Sequence, residues 1–246
     1  MKFLYIWHYG LLTVQSADGA IASIAPWLYF TMIGLCAVAA YLLGSINSAV
    51  LISTKFYHDD IRQHGSRNAG MTNMLRTFGK KAAGLTLLFD ALKALVAGIF
   101  AALLIGDDGI AISMLFCMIG HMFPVYFHFR GGKGVVVAAA SLLLLDPLTF
   151  LVCILVFAVI VAGTKYVSLG SIMSALLFPL FYNRIAPISP IGRGDLPGAV
   201  ATICSLFVCL LIVVMHRANI KRLLNGEESK IRLKKDPSAA SDDEED

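Results

Sequence analysis

Charge is what this chain has least of. Of its 246 residues, 15% are Asp, Glu, Lys or Arg, against about 25% in ordinary soluble domains. With 58% hydrophobic residues and a mean hydropathy of +0.76, that shortage excludes a soluble globular domain and points to a bilayer as the solvent. Motifs are missing too. No G-x-S-x-G, H-E-x-x-H, C-x-x-C or H-x-x-x-x-D occurs, which excludes a serine elbow, a zincin helix, a dithiol redox centre and a histidine–aspartate catalytic pair. The five cysteines (Cys36, Cys117, Cys153, Cys204 and Cys209) all lie inside apolar runs, away from any histidine cluster. They read as buried, inert thiols rather than ligands or disulfide partners. No metal and no cofactor is expected, and with a net charge of only +4 no nucleic-acid partner either. No obligatory protein partner is inferred.

What is present is hydrophobic length. An α-helix needs about 20 apolar residues to cross a bilayer, and seven candidate spans follow one another. They cover residues 27–52, 82–105, 110–129, 135–145, 148–163, 167–182 and 198–215. Asp107-Asp108-Gly109 reads as the turn of a hairpin between the second and third. Asp146-Pro147 separates the short fourth and fifth, because proline disfavours a helical residue before it. The expected fold is therefore an all-α integral membrane protein of about seven transmembrane helices. Residues 1–26 read as an N-terminal extension, since His8, Tyr9 and Gly10 interrupt what would otherwise be a signal-peptide core. Residues 27–228 form a single transmembrane domain, and residues 229–246, ending in DDEED, a disordered charged tail.

Orientation follows from the basic residues. With seven spans, sixteen of the twenty fall on one side: those at 55–81, at 130–133, at 165, and from 217 onward. The positive-inside rule then puts the N-terminus outside and the C-terminus in the cytoplasm. Every polar cluster falls on that same cytoplasmic side, which suggests one shared site.

Residues 65–76, GSRNAGMTNMLR, are the most polar of these clusters. On a helix, Thr72, Asn73 and Arg76 share a face, where Arg76 can fork two phosphate oxygens and Ser66, Asn68, Thr72 and Asn73 supply the remaining partners. Residues 129–135, FRGGKGV, bring Gly131, Gly132, Gly134 and Lys133 to the start of a helix, a combination suited to an anion though not a Walker A motif. In residues 216–228, HRANIKRLLNGEE, His216, Asn219 and Arg222 are spaced three apart on an amphipathic interfacial helix. Asp90 and Lys93 inside the second span read equally as a functional or a mutually neutralising pair. Ser171, in YVSLGSI, reads first as a helix-packing serine.

Taken in order, LLGSINSA, DIRQHGSRNAGMTNMLRTFGKKAAG, GHMFPVYFHFRGGKGV, KYVSLGSI and HRANIKRLLNGEE resemble the bacterial membrane glycerol-3-phosphate acyltransferases that use acyl phosphate (PlsY). The resemblance covers roughly residues 41–227. It implies transfer of a fatty acyl group from acyl phosphate to the 1-hydroxyl of glycerol 3-phosphate, giving lysophosphatidic acid and phosphate for phospholipid biosynthesis. By motif position the family's site residues fall on Ser66, Arg76, Lys133, Ser171, His216 and Asn219, with Asn68 and Asn73 alongside. The partners implied are those two substrates and membrane lipid. The place implied is a bacterial plasma (inner) membrane, crossed several times, with the active site facing the cytoplasm. The sequence departs from the family pattern at Asn47, where proline is common, at Arg67, where glycine is usual, and at Val136-Val137 in place of alanine-threonine. A phosphate transporter is the competing class, expected to show internal repeats and midplane residues. A scaffold acting through the acidic tail is a third reading, and deletion of that tail would test it.

Overall fold

A computed structural model of the chain describes residues 10, 14–15, 21–22, 26–189 and 196–231. Most of the expected N-terminal extension and charged tail lies outside the described residues. Within the former, Val14–Gln15 and Ile21–Ala22 pair as two short antiparallel strands. Among the described residues the remaining regular structure is helical.

Helix α1 (Pro26–Gly44) and α2 (Ser48–Tyr57) divide the first expected span. Asn47 makes the division, because its Oδ1 accepts from the Val50 N–H at 3.0 Å and starts a new helix there. A 3-10 turn at Ile61–Gln63 leads into the polar loop and then into α3 (Met71–Met122). Although α3 is hydrogen-bonded almost throughout, Gly79, Ile105 and Gly106 leave helical φ/ψ. A Cβ on Gly109 would collide with the Ala101 carbonyl. In a straight helix those residues stand about 12 Å apart, so the chain reverses at Ile105 and Gly106. The expected turn at Asp107-Asp108-Gly109 is thus displaced by two residues. Gly106 takes the positive φ of 60° that the turn requires. Asp107 and Asp108 instead begin the returning arm, where a helix N-terminus favours carboxylates. Asp108 also accepts from Tyr29 Oη at 2.6 Å, pinning α1 to the hairpin.

Helix α4 (Val135–Leu145), α5 (Pro147–Thr164), α6 (Val167–Ile185), α7 (Ala199–Met215) and the short α8 (Arg217–Leu224) follow the expected spans closely. Asp146 closes α4 and caps α5, its Oδ1 accepting from Thr149 N at 2.6 Å, with Pro147 at the first helical position. Pro26–Tyr57, Met71–Phe127, Pro147–Thr164 and Val167–Ile188 are each long and apolar enough to cross a bilayer. Joined across a 55° bend, α7 and α8 make a fifth candidate.

Small residues face inward and large ones outward. Ala94, Ala97 and Ala101 are buried while Val96, Phe100 and Leu103 are exposed. Gly44 and Gly120 let α1 and the returning arm of α3 meet backbone to backbone, since a Cβ on either would strike the other helix. This is the packing of an integral, multi-pass membrane protein. Inside it, Asp90 and Lys93 do pair, at 2.8 Å. Ser48 Oγ donates to Asp90 at 2.9 Å, and Lys93 Nζ reaches the Ile46 carbonyl at 2.8 Å and His121 Nδ1 at 2.9 Å. Every charge in that cluster is matched, as burial demands.

Candidate functional site

The polar loops converge at one end of the bundle around a cavity of about 140 Å³. Its polar wall is built from four separate stretches. Ser66, Asn68, Thr72, Asn73 and Arg76 contribute from the first loop and the start of α3. Lys133, Gly134 and Val136 come from the second loop and α4, Ser168 and Ser171 from α6, and His216, Asn219 and Glu228 from the chain's last described segment.

The first loop takes its shape from Asn73. Its buried Oδ1 accepts from Ser66 N at 3.0 Å, and its Nδ2 donates to the carbonyls of His64 (2.9 Å) and Ile61 (3.2 Å). Asn73 is therefore chiefly the loop's scaffold rather than a free ligand. Ser66, Asn68 and Thr72 make no side-chain hydrogen bond among the described residues and keep their polar groups for the cavity.

Three helices begin at the cavity: α3 after Gly70, α4 after Gly134 and α6 after Tyr166. None has a side-chain cap. Their first N–H groups and positive dipole ends point into one space, which favours anions. Elsewhere, α2 and α5 are capped by Asn47 and Asp146, while α7 begins after Gly198 without a side-chain cap.

Lys133 lies inside the same space, its Nζ donating to Asn219 Oδ1. Burial, reinforced by the nearby charges of Arg222 and Arg76 and opposed by Glu228, pulls its ammonium down to about 8. His216, the residue between α7 and α8, has its Nδ1 against the Ile212 carbonyl at 2.8 Å. Nδ1 must then carry the proton, leaving Nε2 as an acceptor. Burial and the Lys133 charge hold the His216 ring down to about 4, so it is neutral at pH 7.

Glu228 organises the far wall. Its side chain accepts from Ser168 Oγ, Asn219 Nδ2 and Arg222 Nε, each at 2.7 Å. Although burial opposes it, these bonds hold its carboxyl below the usual glutamate range. Ser229–Ile231, the first residues of the expected tail, are bound as well. Arg76 donates to the Ser229 carbonyl at 3.0 Å, the Ile231 N–H donates to the Lys165 carbonyl at 2.9 Å, and Lys230 stands over the Tyr166 ring.

Two expected residues lie apart from the cavity. Gly131 and Gly132 donate their N–H groups to the carbonyls of Met122 and His121, both at 3.1 Å. A Cβ on Gly131 would strike the His121 carbonyl, and one on Gly132 the His121 ring. These glycines let the loop approach its own helix rather than a ligand. Gly134 alone of the three lines the cavity, with a φ of 76°. Ser171 lines it too, donating its hydroxyl proton to the Val167 carbonyl at 2.9 Å. Sequence reasoning passed over Ser168 and Glu228. An acid after the Gly226 turn and near Arg222 was the available signal for Glu228; nothing distinguished Ser168 from other helix serines.

Comparison with known proteins places the chain in company. The family model described as glycerol-3-phosphate acyltransferase matches residues 34–226. The glycerol-3-phosphate acyltransferase of Clostridioides difficile (strain 630) is 41% identical over 208 residues, covering 82% of this chain and 97% of that protein. Its counterpart in Neisseria meningitidis serogroup C (strain 053442) is 41% identical over 206 residues, covering 81% and 98%. Among solved structures, the glycerol 3-phosphate form of PlsY, an integral membrane glycerol 3-phosphate acyltransferase, superposes with a TM-score of 0.73. It is 33% identical and covers 81% of this chain and 96% of that one. The lysophosphatidic acid form gives 0.71 at 32% identity, covering 81% and 95%.

Proposed function

The chain belongs to the glycerol-3-phosphate acyltransferase family and is an enzyme of that kind, and from that premise we propose that its acyl donor is acyl phosphate. In this reading the 1-hydroxyl oxygen of glycerol 3-phosphate attacks the acyl carbonyl carbon. The new ester C–O bond forms as the C–O bond to phosphate breaks. Phosphate leaves with the electron pair, the hydroxyl proton is transferred to an oxygen of phosphate, and the remaining product is lysophosphatidic acid.

The observation that carries this is the convergence of three uncapped helix N-termini with Lys133 and Arg76 on one cavity. Both proposed substrates bear phosphate, and such a wall suits them. Lys133, Ser66 and the start of α4 hold one phosphate; Arg76 and Asn219 hold the other, while the neutral His216 ring offers Nε2 as an acceptor to the substrate hydroxyl. Asn68, Thr72 and Ser171 supply further partners. No serine of the wall is hydrogen-bonded to a histidine, which fits direct transfer better than a covalent intermediate. An acyl phosphate is a mixed anhydride, already activated, so orientation and charge stabilisation carry the acceleration. A histidine held near 4 is a weak base at neutral pH, which supports the substrate phosphate as acceptor of the hydroxyl proton.

Seven crossings account for the helices if the two arms of α3 count separately and the 11-residue α4 crosses a locally thinned layer. The distribution of basic residues then supports a cavity facing the cytoplasm from a bacterial plasma membrane. Purified protein given acyl phosphate and glycerol 3-phosphate should release phosphate. Folded protein that releases none would end this reading.

A further inference from the structure

Behind the catalytic cavity lies a second and more open one, of about 610 Å³. The two share a partition. Ser66 and Asn68 face the first while Arg67, between them, lines the second; Lys133 and Gly134 face the first while Arg130 and Gly131 line the second. His216 and Met215 divide in the same way.

The second cavity is lined by three arginines and no acid. Arg62 is matched by a fork to Asp60, with Nε 3.0 Å from each carboxylate oxygen, and it donates to the Phe127 carbonyl at 2.9 Å. Arg67 and Arg130 are exposed and make no side-chain hydrogen bond or ion pair among the described residues. Two unmatched guanidinium groups therefore share one concavity with Phe123, Phe129 and Met215. The backbone bends unfavourably to put them there. Arg67 and Phe129 both have positive φ, 57° and 58°, a region costly for side chains of that size. Phe123, Val125, Tyr126 and Phe129 are all exposed at the end of the returning arm of α3, where a bilayer's interface favours aromatic rings.

We propose that this cavity is a binding site for the phosphate headgroup of an anionic membrane lipid, gripped by Arg67 and Arg130 with its glycerol end against Phe123, Phe129 and Met215. A planar guanidinium matches phosphate oxygens in pairs, and basic pockets at the membrane surface select anionic headgroups. The apolar side of the cavity matches an amphiphile better than a free ion.

The test uses the full-length protein in phosphatidylcholine vesicles, with and without phosphatidic acid, and binding of a short-chain phosphatidic acid to the same protein in detergent. R67G and R130Q should each weaken that binding about fivefold, from the loss of one surface charge contact, and together more. R67G should keep or raise the melting temperature, because glycine adopts this φ without strain. Turnover in pure phosphatidylcholine should be unchanged, since neither residue faces the catalytic cavity. Double-variant protein that binds phosphatidic acid as tightly as wild type would overturn the proposal. So would displacement of the lipid by inorganic phosphate alone, which would make the site one for soluble anions. A fall in melting temperature with R67G would show that Arg67 is a structural residue.

Discussion

Glu228→Ala is the perturbation whose cost the structure allows to be worked out. The carboxylate is 8% exposed and accepts three hydrogen bonds of 2.7 Å. Ser168 and Asn219 are buried, and each would lose its acceptor, at about 1–2 kcal/mol apiece for a stranded donor. Arg222 has a side chain 37% exposed, so water replaces much of what it loses and its share stays below about 1 kcal/mol. The sum is about 2–5 kcal/mol, overlapping the cost of removing one partner of a buried charge pair. A protein of this size melts about 2–4 °C lower per kcal/mol, so Glu228→Ala should melt roughly 10 °C below wild type. Asn219, no longer held, would release Lys133 and reduce phosphate affinity as well. Glu228→Gln keeps an oxygen for Ser168 and Asn219 and should lose about 1–2 kcal/mol. The pH dependence has a definite sign. A carboxyl held low in the fold stabilises above its unfolded value, near about 4.3, and that contribution fades as pH drops through the folded value. Circular dichroism melts of both variants, at neutral pH and near pH 4, supply the measurement. If Glu228→Ala melts like wild type, the far wall of the cavity is not held as described.

Other outcomes follow from the same geometry. With the Lys133 ammonium near 8, kcat/KM for glycerol 3-phosphate should fall as pH rises above that value, and Lys133→Met should be poorly active with no such limb. Arg76→Ala should raise KM for a phosphate-bearing substrate by about tenfold to a hundredfold, the worth of a charge-assisted contact; an unchanged KM would remove Arg76 from the site. His216→Ala should lower activity while leaving the pH profile in place, whereas a loss of some thousandfold with an altered profile would make His216 the base. Gly132→Ala should cost stability before it costs affinity, because the added methyl meets the His121 ring; a stable variant with a raised KM alone would restore Gly132 to the phosphate site.

Much of this was legible in the residues, and the parts that were not share a cause. Apolar length gave the spans, and an Asp-Pro pair gave the break between α4 and α5, because local chemistry decides both. The hairpin turn was displaced because Asp107 and Asp108 read as turn residues, while the one position needing positive φ was Gly106. Arg76, Lys133, His216 and Asn219 stood out as polar groups in an apolar chain. Gly131 and Gly132 were assigned to phosphate because a glycine loop permits close approach without saying to what. Glu228 could be weighed only once the Gly226 turn had brought it back against Asn219 and Ser168.

The wall of the cavity also has an order in time. Arg76 is made early, while Glu228 and Ser229, which complete that wall, are polymerised some 150 residues later. A ribosome must therefore deliver the chain as far as Ser229 before that wall is complete. A nascent chain stalled after α7 would carry Ser66, Arg76 and Lys133 but lack Asn219, Glu228 and Ser229, so interrupted synthesis would leave a membrane-embedded fragment with only part of that wall.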